Sequence, residues 1–221
     1  MSAYAMIPAR AGSERLKSKN LLKIKGIPVV TYGIEIAKAA GCFDAIVLNS
    51  DSIEFKEIAE NNGVDFYLRD KSLAQSETTS DEVVNNFFLN FPKAEEVVWI
   101  NSISPMQDPS DIKKALTYFR LEKLDSLIAS HKHYRHGLYR GESVNFDAKK
   151  GFARTQDLEP IELLTYTFMI WKRKSFLQSY LESHSAIMCG KFSTYPVSYL
   201  STLAIKDESD FYLIKKIMEG N

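Results

Sequence analysis

Tyr4-Ala5-Met6-Ile7 leads into Pro8-Ala9-Arg10-Ala11-Gly12-Ser13-Glu14-Arg15-Leu16-Lys17-Ser18-Lys19-Asn20, and Ala45-Ile46-Val47-Leu48 follows after a helical stretch. The first four residues form a short apolar strand, and the polar run behind them is a loop. Pro28 is suited to starting a helix, because its fixed φ and missing N–H are tolerated in the first turn. Val29, Val30, Ile34 and Ala37 then fall on one helical face, and Gly41 ends it. Ala45 to Leu48 is apolar without alternation, as expected of a strand covered on both faces of a sheet.

The same rhythm continues outward. Asp51 and Glu54 form a capping-box pattern ahead of Ile53, Ile58 and Ala59, with Asn62-Gly63 as the stop. Residues 64–68 are the next strand. Thr79 and Glu82 cap a helix carrying Val83, Val84, Phe87, Phe88 and Phe91. Residues 97–100 form a strand, and Asp108-Pro109 opens a helix with Ile112, Ala115, Leu116 and Phe119 on one side. Residues 126–130 form a fifth strand. Strands alternating with helices at this spacing predict an α/β fold: a Rossmann-like, mostly parallel sheet with helices on both faces. From 131 to 160 the rhythm breaks at Gly137, Gly141 and Gly151, which predicts a small β-rich insertion. A strand over 166–171, a helix with Phe176, Leu177, Tyr180 and Leu181, a last strand over 199–205 and a helix with Phe211, Ile214, Ile217 and Met218 complete the chain. The 221 residues thus read as a single domain.

Composition narrows the partners. The 28 basic and 28 acidic residues cancel, which argues against electrostatic attraction to nucleic acid or to an anionic membrane. Apolar runs are far shorter than the ~18 residues of a membrane span, and no signal peptide is visible. Two cysteines without a CxxC spacing suit a reducing compartment, so a cytoplasmic protein is expected.

In open α/β folds ligands bind beyond the carboxyl ends of the strands. The loop at that position carries Arg10, Arg15, Lys17 and Lys19 against the single acid Glu14. Gly12 lets backbone approach an anion, and Ser13 adds a hydroxyl. Arginine grips phosphate oxygens bidentately, while Lys19 acts as a point charge. The loop matches neither GxGxxG nor GxxxxGK[ST], so no dinucleotide fold or P-loop is indicated. From charge alone it would equally be a solvated basic turn; its place behind the first strand favours phosphate binding.

The stretch from 7 to 20 resembles the nucleotide-binding signature of the CMP-sugar synthetases, the acylneuraminate cytidylyltransferases and their relatives. Asn49-Ser50-Asp51, Leu68-Arg69 with Leu73-Ala74, Ile103-Ser104-Pro105 and Arg154-Thr155-Gln156-Asp157-Leu158 follow in that family's order. The resemblance implies that CTP reacts with an acidic sugar to give a CMP-sugar and pyrophosphate, in a homodimer, with Mg2+ as cofactor. It places Ala9, Arg10, Gly12, Ser13, Arg15, Lys19, Asn20, Arg69 and Ser80 at the nucleotide. Arg10, Lys19 and Lys206 fall in catalytic positions, and Asn101, Gln107, Arg154, Gln156 and Thr165 at the sugar.

Departures from the pattern fall at the acceptor and the metal, and leave open a nucleotidyltransferase with a different, non-sialic acceptor or another NTP. Asn101 stands where the family has glutamine, Gln107 where it has arginine, and Thr165-Tyr166 where it has Asn-Gly. Ala204 and Lys206 occupy the positions of a metal-binding Asp-x-Asp pair, and an ammonium cannot ligate a cation. Lys206 then neutralises pyrophosphate itself, or Asp207 with Asp51 or another carboxylate rebuilds a shifted site, or the chain binds nucleotide without efficient transfer. Asp207 also reads as the N-cap of the last helix. His131, His133 and His136 lack a cysteine or a nearby carboxylate to complete a zinc set, and read as a wall of the sugar site or a dimer contact.

Overall fold

In a computed structural model describing residues 1–13 and 15–220, the apolar runs assemble into one seven-stranded sheet. Its strands are β1 (Ala3–Ala9), β2 (Ala45–Ser50), β3 (Asp65–Leu68), β4 (Glu96–Ile100), β5 (Ser126–His133), β6 (Ile161–Lys172) and β7 (Phe192–Pro196). Across the sheet they run β7-β5-β6-β4-β1-β2-β3. The set β4, β1, β2 and β3 pairs in parallel, as do β5 and β7. β6 is antiparallel to both β4 and β5. Glu14, the one acid of the first loop, lies outside the described residues.

Strand periodicity explains the two cores. Ala3, Ala5, Ile7 and Ala9 of β1 point to one face, where α1 (Val29–Ala40), α2 (Lys56–Asn61) and α4 (Pro109–Leu121) bring Ile34, Ala59 and Leu116. Met6 points to the other, covered by α3 (Ser80–Asn90) and α5 (Arg173–Ser183) with Phe87, Phe88 and Phe176 around Trp171. Burying each such side chain stabilises the fold by roughly 1.5–3 kcal/mol. The last helix, α6 (Glu208–Glu219), lays Ile214 on Ile24, Val29 and Ile205. Among the described residues no helix is long and apolar enough to cross a membrane, and Cys42 and Cys189 are both free thiols.

Five expectations change. The last strand is Phe192–Pro196, not 199–205, where Leu200–Thr202 makes a 3-10 turn. β7 is an edge strand whose Ser193 and Thr194 interrupt any apolar run, while Tyr199 and Leu200 are exposed. Pro28 is the N-cap of α1 rather than its first residue, because it first pairs with Lys23 in a small hairpin. Ser52, not Asp51, caps the turn at Ile53–Phe55 by accepting the Glu54 N–H. Leu181 is 83% exposed, at the end of α5. The insertion is shorter and less β-rich than expected. β5 continues to His133, opposite Ile161, so residues 134–160 remain. They hold one hairpin, Leu138–Tyr139 with Glu142–Ser143, and two 3-10 turns. Arg140 (φ 52°) and Gly141 (φ 88°) give this hairpin the primed type of turn.

Candidate active site

The chain moves from β1 outward to β2 and β3, then returns to β4 on the opposite side of β1. The strand order therefore reverses at β1 and β4, and a crevice opens beyond their carboxyl ends. A cleft of about 220 Å3 lies there. Pro8, Arg10, Lys19 and Asn20 form one side. Arg69, Leu73, Ala74, Gln75 and Thr78 form the second, and Ser80 and Val83 of α3 with Trp99, Asn101, Ser102 and Ile103 of the β4 end form the third.

The first loop is held in place from inside. Ser18 takes a left-handed conformation (φ 51°) that turns the chain into the 3-10 turn Lys19–Leu21. Asn20, only 3% exposed, donates its amide to the Arg10 carbonyl at 3.1 Å. The Ser102 hydroxyl lies 2.9 Å from Asn20 Oδ1 and 3.1 Å from the Pro8 carbonyl, either of which can accept its proton. On the opposite side the Ala11 N–H donates to Asp51 Oδ1 at 3.0 Å. Burial first, then the charges of Arg15 and Arg10, hold the Lys19 ammonium below the usual lysine range, against the pull of Asp210. Cations forced together in this way gain from an anion placed among them.

Arg69 follows β3 and is 5% exposed. Its Nη1 donates to the Asn49 carbonyl at 2.6 Å and to Asn49 Oδ1 at 3.2 Å, and its Nη2 lies 3.9 Å from Asp51 Oδ1. Burial lowers its pKa, Asp51 opposes that shift, and Arg10 adds to it. Among the described residues its Nε is buried without a partner. Ser80 sits in the first turn of α3, whose N-terminus is closed by a Thr79–Glu82 capping box. That end of the helix carries partial positive charge toward the cleft.

Not every expected residue lies on the cleft. Ala9 is a core side chain at the end of β1, while Gly12 and Arg15 are exposed on the loop and Ser13 is half-buried there. Asn101 lines the cleft, its amide 3.4 Å from the Tyr166 carbonyl. Gln107 is buried behind it, donating to the carbonyls of Asn101 (2.8 Å) and Ser104 (2.9 Å), so it shapes the turn. Thr165 donates to the Ala129 carbonyl within the sheet. Arg154 and Gln156 are exposed on the insertion, where Arg154 pairs with Asp157 at 2.6 Å. Lys206 is exposed, its N–H donating to Asp210 Oδ2 at 2.9 Å. Asp207 caps α6 by accepting the Asp210 N–H at 3.0 Å. Sequence reading missed Trp99 and Ser102 as cleft residues and misread Asp51 as a cap.

Among the described residues no group of three or more His, Cys, Asp or Glu is arranged to hold a metal ion. Asp51 is engaged by the Ala11 N–H and faces Arg69, and Asp207 is engaged by its helix. These residues do not fit a protein-held divalent ion. His131 and His133 are neighbours with rings 4.7 Å apart, but His136 turns away to stack on Phe152.

An α/β sheet with a cationic cleft at its switch point is the architecture of the Rossmann-like nucleotidyltransferases. One solved structure with this fold is a CMP:2-keto-3-deoxy-manno-octonic acid synthetase complexed with CTP. It matches with a TM-score of 0.75 at 14% identity, covering 100% of this chain and 99% of that one. The family model for cytidylyltransferases matches residues 4–163, and the chain belongs to that family. A pseudaminic acid cytidylyltransferase of Campylobacter jejuni subsp. jejuni serotype O:2 is 30% identical over 170 residues, 72% of this chain and 73% of the relative. An N-acylneuraminate cytidylyltransferase of Streptococcus agalactiae serotype III is 28% identical over 187 residues, 80% of this chain and 45% of the relative. The chain thus spans about half the length of the N-acylneuraminate cytidylyltransferases it matches.

Proposed function

We propose that this protein transfers CMP from CTP to an acidic sugar, releasing pyrophosphate. The observation that carries the proposal is the convergence of Arg10, Lys19 and Arg69 on one cleft at the switch point of a chain in the cytidylyltransferase family. The sugar's anomeric oxygen attacks the α-phosphorus, the bond to the bridging oxygen of pyrophosphate breaks, and the hydroxyl proton leaves to solvent. Arg10 and Lys19 neutralise the triphosphate, whose charge of about −4 must be held through the displacement. Arg69 faces the nucleoside with Ala74 and Ser80, and Asn101 meets the acceptor.

Mg2+ arriving on the nucleotide would offset phosphate charge, while Arg10 and Lys19 supply the protein's own share of that neutralisation. Lys206 lies where the family pattern has an acid, and its neighbour Ile205 donates its N–H to the Ile103 carbonyl on the cleft wall at 2.8 Å. Exposed Leu138, Tyr139, Val144 and Phe152 on the 134–160 segment support self-association as a homodimer, and the two free thiols suit a cytoplasmic setting.

Pyrophosphate release should appear with CTP and a nonulosonic or 3-deoxy-ulosonic acid, and disappear in Arg10→Ala. No heat of CTP binding and no turnover with any nucleotide would refute the proposal. A second reading, nucleotide binding without transfer, rests on Lys206 alone. It predicts CTP binding without pyrophosphate for any acceptor, with or without Mg2+, and turnover restored by Lys206→Asp.

A further inference from the structure

We infer that Asp51 is a positioning residue that locks the phosphate loop and Arg69 into one rigid frame, so that both ends of the nucleotide are gripped together. The inference rests on the nucleotide-binding reading of the cleft. Asp51 Oδ1 receives the Ala11 N–H of the loop at 3.0 Å and stands 3.9 Å from Arg69 Nη2. The Asp51 side chain itself is 13% exposed and does not line the cleft. Arg69 is fixed from behind by the Asn49 carbonyl and side chain and by its own N–H, which donates to the Ser50 carbonyl at 2.8 Å. A single carboxylate therefore connects the end of β1, through Ala11, to the end of β3, through Arg69. Between them lies β2, whose own end carries Asp51.

The sign of the effect separates this role from plain electrostatics. Removing a negative charge beside an anion site should tighten anion binding if charge were all that mattered. A positioning carboxylate gives the opposite result, because the loop donors lose their fixed aim.

Calorimetry with two probes, CTP and inorganic tripolyphosphate, tests it on the full chain. Asp51→Ala is expected to weaken both by about tenfold, the worth of one lost hydrogen bond with its geometry. Asp51→Asn keeps an oxygen for the Ala11 N–H but loses the charge opposite Arg69. Tripolyphosphate binding should therefore return to within about twofold of wild type, while CTP stays weakened about fivefold or more. Unchanged or tighter tripolyphosphate binding in Asp51→Ala overturns the inference, as does wild-type CTP binding in Asp51→Asn. The Asn variant also decides the matter if the Ala variant does not fold. Wild-type protein that binds neither probe refutes the nucleotide reading instead.

Discussion

Asn20→Ala removes a side chain that ties the phosphate loop to the β4 turn. Its amide holds the Arg10 carbonyl, and its oxygen is a partner of Ser102. Ser102 keeps the Pro8 carbonyl, so the net loss is one part-buried acceptor, the Arg10 carbonyl, left without this donor plus the packing of a nearly inaccessible side chain. An unsatisfied buried group costs about 1–3 kcal/mol. A value near 2 kcal/mol corresponds to a Tm lowered by roughly 4–8 °C in a domain of this size. Arg10 loses its backbone anchor, so CTP affinity should fall by about tenfold. Asn20→Asp preserves the volume but turns an acceptor toward the Arg10 carbonyl and adds negative charge to an anion cleft. Its CTP affinity should be lower still, although its packing is closer to wild type. Thermal unfolding by circular dichroism and calorimetric CTP titration measure both quantities. An unshifted Tm for Asn20→Ala with wild-type CTP affinity would refute the anchoring role, and so would an Asp variant that binds CTP better than the Ala variant.

Gly33 of α1 faces the same turn: a Cβ there would lie 3.2 Å from Ser102 Cα and 3.4 Å from Ile7 Cγ2. Because Ser102 is held by its own hydrogen bonds, Gly33→Ala should lower stability by about 1 kcal/mol. Overpacking of ~1–3 kcal/mol outweighs the ~1 kcal/mol gain in helix propensity, and a raised Tm would contradict this. Lys19 makes a pH prediction. Its pKa is lowered in the fold, so between that lowered value and the ordinary 10.5 the unfolded chain holds a proton that the folded one lacks. The Lys19 contribution to stability therefore rises with pH through that window and is smallest below it. Bound triphosphate favours the ammonium, so CTP binding in the same window should take up a proton, read from calorimetric heats in buffers of different ionisation enthalpy. Lys19→Arg should abolish the uptake. Asp207→Ala should cost about 1 kcal/mol through loss of the α6 cap and leave the divalent-ion response of turnover unchanged; loss of that response would return Asp207 to the metal.

Much of this molecule was legible in local pattern. The buried strands read correctly because both faces of β1, β2 and β4 are covered, which leaves unbroken apolar runs such as Val97 to Ile100. Caps at Thr79 and Asp108 are local chemistry and were found where expected. The edge strand β7 was misplaced because half-exposed residues carry a weaker signal. Gln107 and Thr165 were assigned to substrate because a motif position gives no direction for a side chain; both turn inward to backbone carbonyls.

By itself the sequence determined the alternation of strands and helices, the phosphate-type loop behind the first strand and the likeness to a family, since periodicity and loop composition are set within a few residues. Only the tertiary structure decided which groups share the cleft. Arg69, Ser102 and Asn20, which line it, and Asp51, which stands behind it, come from four separate segments. They meet because the strand order reverses at β1 and β4, bringing distant strand ends within hydrogen-bonding reach.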